Sequence, residues 1–332
     1  MCKTELEKNI IKVLNIERSE KVTKLPKKIM FELTNICNMK CIFCSNQSSI
    51  RQRGFMDFDL FRRVLDDAVK IGIEECALYT TGESFMHPEI MKFIKYSSGY
   101  KLYNYISTGG NSLDETMIDQ LLISGLKSIK FSIDAGTEET YKSIKGKHFS
   151  LKTLYKRIQY LFRERERRGS ELKIYGNYVI TDQNENEIDK FMELFYPILD
   201  DVHFKFVGAN AMKLISSQNF ESCLETKYSK MENQIVPCPL LWERFIVQLD
   251  GSLAICCLDY DNNYIYSNIN SESLEQAWNN NKMQEFRSQM IASDFDKLEH
   301  CAKCELSRSN RANLVRELNQ TIKQRWTKRN VF

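Results

Sequence analysis

Residues 37–44 read Cys37-Asn38-Met39-Lys40-Cys41-Ile42-Phe43-Cys44. This loop follows a β-rich run, Ile29–Leu33, that closes on Thr34 and Asn35. Cysteine thiolates are the usual ligands of iron–sulfur clusters. A cubane of four irons takes four ligands, and the loop supplies three, with no further cysteine close by. One iron is then left open, and an open coordination position is what separates a catalytic centre from a structural one. Thiolate loops of this kind also bind zinc.

Working outward from the loop, short β-rich runs alternate with stretches of helical period. The predicted strands are Ile29–Leu33, Cys76–Tyr79, Leu102–Ile106, Ser128–Ile133, Leu172–Ile180 and His203–Val207. Helices are predicted from about Asp59 to Ile71, from about Asp114 to Ser124, and over 151–168 and 185–199. Phe61, Val64, Leu65 and Ala68 share one face of the first, with Gly72 as its stop. Alternation of this kind implies a parallel sheet with covering helices. Six units suit an incomplete barrel or an open sheet. Polar and small residues gather where the strands end: Thr80-Thr81-Gly82-Glu83, Ser107-Thr108-Gly109-Gly110 and Ser132-Ile133-Asp134. In parallel α/β folds that edge is where ligands bind.

The chain has 332 residues, 42% hydrophobic and 27% charged, with a formal net charge of +3. That composition excludes a disordered chain. The charge is too small to point to nucleic acid or an anionic membrane as partner. No apolar run reaches the length of a membrane helix, and the charged start, MCKTELEKNI, lacks a signal-peptide core. A cytoplasmic location is expected. In a reducing compartment, 11 cysteines point to metal, cluster or catalysis rather than disulfides.

The expected organisation is an N-terminal extension (1–27), a strand–helix domain (28–215), a polar linker (216–236), a cysteine-bearing domain (237–310) and a basic tail (311–332), read as a solvated helix. In the cysteine-bearing domain Asp250-Gly251 lies between Phe245–Leu249 and Ser252–Ile255, a β-hairpin signature. Short helices follow at about Ser273–Asn279 and from Lys282. Cys238, Cys256, Cys257, Cys301 and Cys304 all fall here, and their spacing suits zinc or a second cluster.

The C-x3-C-x2-C loop, with an aromatic residue before its last cysteine, resembles the radical S-adenosylmethionine (SAM) superfamily. The resemblance implies a partial (β/α)6 TIM-type barrel. It also implies a [4Fe–4S] cluster on Cys37, Cys41 and Cys44, and SAM chelating the open iron. Reductive cleavage of SAM would give a 5′-deoxyadenosyl radical that abstracts hydrogen from a C–H bond. Gly82-Glu83 is similar to the family's Gly-Glu motif, which receives the SAM ammonium. The usual Pro after it is Ser84 here. Ser107-Thr108-Gly109-Gly110 resembles a Ser-Thr-Asn-Gly segment with Gly109 in place of Asn. Ser132 is implied near the ribose or carboxylate of SAM, Phe43 near the adenine, and Lys145 where many relatives carry an Arg for the SAM carboxylate. Lysine keeps that charge but loses the bidentate fork.

The words around the later cysteines resemble the SPASM/twitch domain. That implies one auxiliary [4Fe–4S] cluster held by Cys238, Cys256, Cys301 and Cys304. Ser267 departs from the usual Gly before Asn268. Cys76 reads as core, while Cys2 and Cys223 have no assigned task. Cys257 neighbours a cluster ligand and, in a hairpin, points the other way; the resemblance to radical SAM epimerases, in which a thiol returns a hydrogen atom, implies it as a candidate donor.

Two outcomes follow from the resemblance: epimerisation if a thiol quenches the substrate radical, or dehydrogenation of an alcohol if the auxiliary cluster takes the second electron. The implied substrate is a small polar sugar or cyclitol. Maturation of a ribosomal peptide is a further reading, and a non-catalytic zinc-stabilised binding protein another. Flavodoxin or ferredoxin is the implied electron donor.

Overall fold

The computed structural model describes residues 21–206, 237–302, 304 and 319–326. The expected extension up to residue 20, the 216–236 linker and most of the tail lie outside the described residues. Six strands run in parallel: β1 (Lys28–Phe31), β2 (Glu75–Ala77), β3 (Tyr103–Thr108), β4 (Ser128–Ser132), β5 (Lys173–Ile180) and β6 (Asp201–Phe206). Between them lie α1 (Phe58–Lys70), α2 (Ile90–Ser98), α3 (Glu115–Leu122), α4 (Glu138–Lys145), α5 (Leu151–Arg168) and α6 (Ile188–Phe195). This is the expected partial barrel.

The local reasons are legible in α1. The Asp57 carboxylate accepts from the backbone N–H groups of Asp59 and Leu60, a cap at the start. Phe61, Val64, Leu65 and Ala68 are buried on one face. Full burial of side chains such as Val64 and Leu65 stabilises by about 1.5–3 kcal/mol each. Gly72 ends the helix at φ +86°, a conformation that costs glycine nothing.

Several elements depart from the sequence expectation. Helices α2 and α4 were not anticipated. The 185–199 helix is broken: α6 is flanked by 3₁₀ turns at Glu185–Glu187 and Tyr196–Ile198, the second containing Pro197, which has no N–H to continue the ladder. The 319–326 stretch of the tail is helical, with one face exposed and the other packed on the sheet. Ile322 and Trp326 are buried. The Asn319 amide pairs with both backbone groups of Phe204, accepting from its N–H at 2.9 Å and donating to its C=O at 3.0 Å. Lys323 reaches Asp201 at 2.7 Å. This helix covers β6, which would otherwise be an open sheet edge.

The C-terminal region begins with α7 (Leu240–Glu243) and the hairpin β7 (Arg244–Val247) and β8 (Ser252–Ala254), joined by a third strand, β9 (Ile265–Asn268). Helices α8 (Leu274–Trp278), α9 (Asn281–Ala292) and α10 (Glu299–Ala302) follow. The hairpin does not stand apart. β7 pairs in parallel with β1, Lys28 opposite Arg244, giving one nine-stranded sheet ordered β6-β5-β4-β3-β2-β1-β7-β8-β9. Glu32 locks the junction. Its carboxylate takes Arg51 at 2.6 Å, the Thr81 hydroxyl, and the Leu249 N–H at 3.2 Å, while its own N–H donates to Val247 at 2.8 Å.

Side chains alternate across the sheet. Ile129, Phe131, Ile174, Tyr178, Val202 and Phe204 join the main core. On the other face a separate small cluster forms from Met30, Ala77, Ile246 and Ala254, with Tyr79, Tyr105 and Cys257 against it. That concave face is the barrel lumen. No helix among the described residues is long and apolar enough to cross a membrane.

Candidate active site

The cysteine loop is pinned at both ends by backbone. The Glu83 N–H donates to Ile36 C=O at 2.9 Å, while the N–H groups of Lys40 and Ile42 donate to Lys145 and Ile144 at the end of α4. Gly82 is required here: a Cβ on it would lie 2.3 Å from the Thr34 carbonyl oxygen and 2.7 Å from that of Ile36. Cys37, Cys41 and Cys44 are half-buried. Burial, with the nearby Glu83, Cys41 and Cys44 charges, outweighs a hydrogen bond from Met39 and pushes the Cys37 thiol up to about 12. Cys41 is likewise raised by burial, against the pull of Lys145. Such thiols ionise when a metal centre takes their charge. The donor set is all sulfur, as an iron–sulfur cluster requires.

Glu83, on the turn after β2, is 3% exposed. Its carboxylate accepts from the N–H of Phe85 (3.2 Å), the Thr108 hydroxyl (2.8 Å) and the N–H of Gly109 (2.7 Å). Burial raises its pKa and these three donors oppose the rise. Gly109 is explained by its neighbour. A Cβ there would lie 2.0 Å from Met39 Cε, so the Met39 side chain of the cysteine loop occupies the space an Asn would need.

Lys145 lies in the same region but is not a waiting cation. It is 1% exposed and ion-paired with Asp134 at the end of β4. Its Nζ stands 5.4 Å from the Phe43 ring centroid. Burial would lower its pKa, yet Asp134, then Cys41 and Tyr141, hold it above the ordinary lysine range. Asp134 adopts φ 61°, rare for a residue with a side chain, and accepts from the Val179 N–H at 2.6 Å. The sequence placed Asp134 in a motif without seeing this pairing. Ser132 is half-buried and faces the lumen opposite Asn177.

Cys238, Cys256, Cys301 and Cys304 form a second set of thiols close enough to raise one another's pKa. Burial is the largest cause for Cys238, with Cys304 and Cys301 contributing. Cys301 is pushed up to about 12 by burial and then Cys304. Cys256 and Cys257 lie just past β8 in a turn rather than within the hairpin. Cys256 Sγ accepts from the Leu258 N–H at 3.3 Å. Among the described residues no three His, Cys, Asp or Glu groups converge as they would on a single metal ion.

Cys257 alone of this pair joins the lumen cluster. Burial raises its pKa, and Arg244 and Lys205 oppose that. The next turn brings Tyr260 between the two cysteine sets: its hydroxyl is 3.7 Å from Cys44 Sγ, and the Ser49 hydroxyl donates to its carbonyl at 2.8 Å. Sequence reasoning missed Tyr260, because nothing local marks it.

The chain matches the radical SAM superfamily over residues 31–195 and an iron–sulfur cluster-binding domain, SPASM, over residues 238–305. It is similar to the AdoMet-dependent heme synthase of Methanosarcina barkeri, 25% identical over 174 residues, 52% of this chain and 48% of that protein. The PqqA peptide cyclase of Granulibacter bethesdensis is 24% identical over 169 residues, 51% of this chain and 43% of that protein. The chain thus spans about half the length of the curated relatives it matches. Among solved structures, BtrN in complex with AdoMet and 2-DOIA superposes with a TM-score of 0.54 at 17% identity, covering 86% of this chain and 94% of that one. Streptococcus suis SuiB bound to precursor peptide SuiA gives 0.66 at 14% identity, covering 90% and 74%.

Six parallel strands around a three-cysteine loop, continued by a second cysteine domain, define a class of cluster-bearing enzymes. The chain belongs to the radical SAM superfamily and carries a C-terminal SPASM domain. Its cofactors are SAM, a radical SAM [4Fe–4S] cluster and auxiliary iron–sulfur.

Proposed function

We propose that this enzyme epimerises a carbon centre of a small polar substrate, with Cys257 returning the hydrogen atom. The observation that carries the reading is the packing of Cys257: it lies against the lumen cluster as well as the main core, while the adjacent Cys256 packs with the main core alone. In this reading Cys37, Cys41 and Cys44 hold the SAM cluster. Glu83, on the Gly82 turn, receives the SAM ammonium, Phe43 lies by the adenine and Ser132 by the ribose or carboxylate. Lys145 acts as part of a neutral pair with Asp134. Cys238, Cys256, Cys301 and Cys304 hold one auxiliary [4Fe–4S] cluster.

When bound, SAM and its cluster supply the 5′-deoxyadenosyl radical that removes hydrogen from the substrate. The Cys257 S–H bond then breaks, its hydrogen atom forms the new C–H bond on the opposite face, and a sulfur radical is left. One electron from a carrier of the flavodoxin or ferredoxin class and one proton from solvent restore the thiol. An aminocyclitol or sugar fits this chemistry. BtrN, whose structure contains 2-DOIA, is a neighbour nearly coextensive with this chain.

A second reading, peptide modification by the same radical, is favoured by the likeness to SuiB bound to its precursor peptide. Oxidation of an alcohol is the remaining outcome on the same scaffold. Product analysis in deuterated water separates these. Epimerisation gives an unchanged molecular formula with one solvent deuterium, and Cys257→Ser abolishes that product while 5′-deoxyadenosine still forms. Stereoinversion with deuterium uptake continuing in the variant would remove Cys257 from the role.

A further inference from the structure

The lumen carries more positive charge than its own carboxylates neutralise. Strand alternation points Lys130 (β4), Lys205 (β6) and Arg244 (β7) to the concave face. They come from three strands far apart in sequence, yet each affects another's charge: Lys130 is lowered to about 8 by burial, then by Lys205 and Arg244. Lys205 is the most exposed of the three; enclosure by the surrounding chain lowers it, partly offset by Cys257 and Asp134, with Arg244 lowering it further.

Four acids on or beside this face are already engaged. Glu32 is with Arg51, Asp134 with Lys145, Asp201 with Lys323 and Glu75 with Lys28. Among the described residues, Lys130, Lys205 and Arg244 make no salt bridge. Two further atoms are left wanting. Arg244 Nε is buried without a hydrogen-bond partner, as is Oδ1 of Asn177, whose side chain is 8% exposed and faces Ser132 on the same surface. Holding like charges together in a partly enclosed space without counter-charge is costly, and a ligand bringing the missing charge removes that cost.

We propose that the lumen binds an anionic group of the substrate, a carboxylate or a phosphate, between Lys130, Lys205 and Arg244, with Asn177 accepting from a neighbouring hydroxyl or amine of the same molecule. The site lies beside Cys257, on which both Arg244 and Lys205 act. This deepens the proposed function, since it names the charge the substrate must carry, and it holds for a sugar or a peptide alike.

The test uses the cluster-reconstituted enzyme and measures binding rather than turnover. Lys130 is labelled with an amine-reactive ester, and modification is read by peptide mass spectrometry with increasing inorganic phosphate or acetate. Protection by phosphate alone identifies a phosphate site, protection by acetate alone a carboxylate site, and protection by both the shared chemistry. In Arg244→Met and Lys205→Met the probe concentration for half-protection rises about tenfold or more, as loss of one charge-assisted hydrogen bond implies. Lys205 is solvent-accessible, so its removal leaves the fold intact.

SAM affinity, measured in parallel, stays at the wild-type value. No protection by either probe, or undiminished protection in both variants, overturns the anion site. A parallel loss of SAM affinity overturns it too, by assigning these cations to the cofactor. Failure of the Cys257 reading leaves these outcomes untouched, because no substrate is turned over.

Discussion

Asp134→Asn is the substitution that probes the architecture beneath the cofactor site most cleanly. Asparagine keeps the shape, tolerates the left-handed φ of 61°, and retains an oxygen to accept from Val179, now at 2.6 Å. Only the charge is lost. Lys145 is 1% exposed, so the ammonium is left buried without its counter-ion. Removing one partner of such a pair costs about 3–5 kcal/mol, on the order of 10 °C in melting temperature. Adding Lys145→Met removes the stranded charge, so the double variant is more stable than Asp134→Asn alone by about 1 kcal/mol or more.

The pH dependence gives an independent sign. In the wild type Lys145 is held above the ordinary lysine range, so its contribution is complete at neutral pH and is lost only as pH rises through that raised value. In Asp134→Asn burial dominates and the lysine falls below its unfolded value of about 10.4. The unfolded chain then binds more protons, and stability rises with pH between the depressed value and about 10.4. Thermal denaturation of the three proteins across pH 7–10 checks both points. A loss below about 1 kcal/mol, or a double variant no better than the single, would refute the reasoning.

Two other substitutions address the cofactor-side residues. Glu83→Gln removes the carboxylate charge but keeps its volume. SAM affinity, by equilibrium dialysis, is expected to fall about tenfold or more, with iron and sulfide content unchanged; undiminished affinity would separate Glu83 from the cofactor. Tyr260→Phe removes the hydroxyl 3.7 Å from Cys44 Sγ. With Cys44 bound as thiolate, that phenol is the donor, so its loss lowers the cluster potential by about 20–60 mV, the equivalent of one net hydrogen bond. An EPR-monitored redox titration showing no shift would exclude the contact.

Much of this was legible in the sequence because it is local. Phe61 through Ala68, with Gly72 as the stop, announce α1 within a few turns. Helices α2 and α4 were hidden for the opposite reason: short and bounded by strand-end motifs, they carry only two turns of periodicity. The union of the hairpin with β1 was hidden too, since parallel pairing between residues more than 200 apart leaves no mark on either strand. The same holds for the 319–326 helix, whose partner Phe204 lies over 100 residues away.

The sequence by itself determined the metal chemistry. Three thiols within eight residues can meet one cluster without help from distant chain, so their spacing is nearly sufficient. Tertiary structure decided what faces the reaction. Lys130, Lys205 and Arg244 come together only because parallel strands curve around a common lumen. Cys257 is distinguished from Cys256 by its additional packing against the lumen cluster, and Lys145 is spoken for by Asp134. Charge and reactivity at those positions depend on burial and on neighbours brought from elsewhere in the chain, which no local pattern encodes.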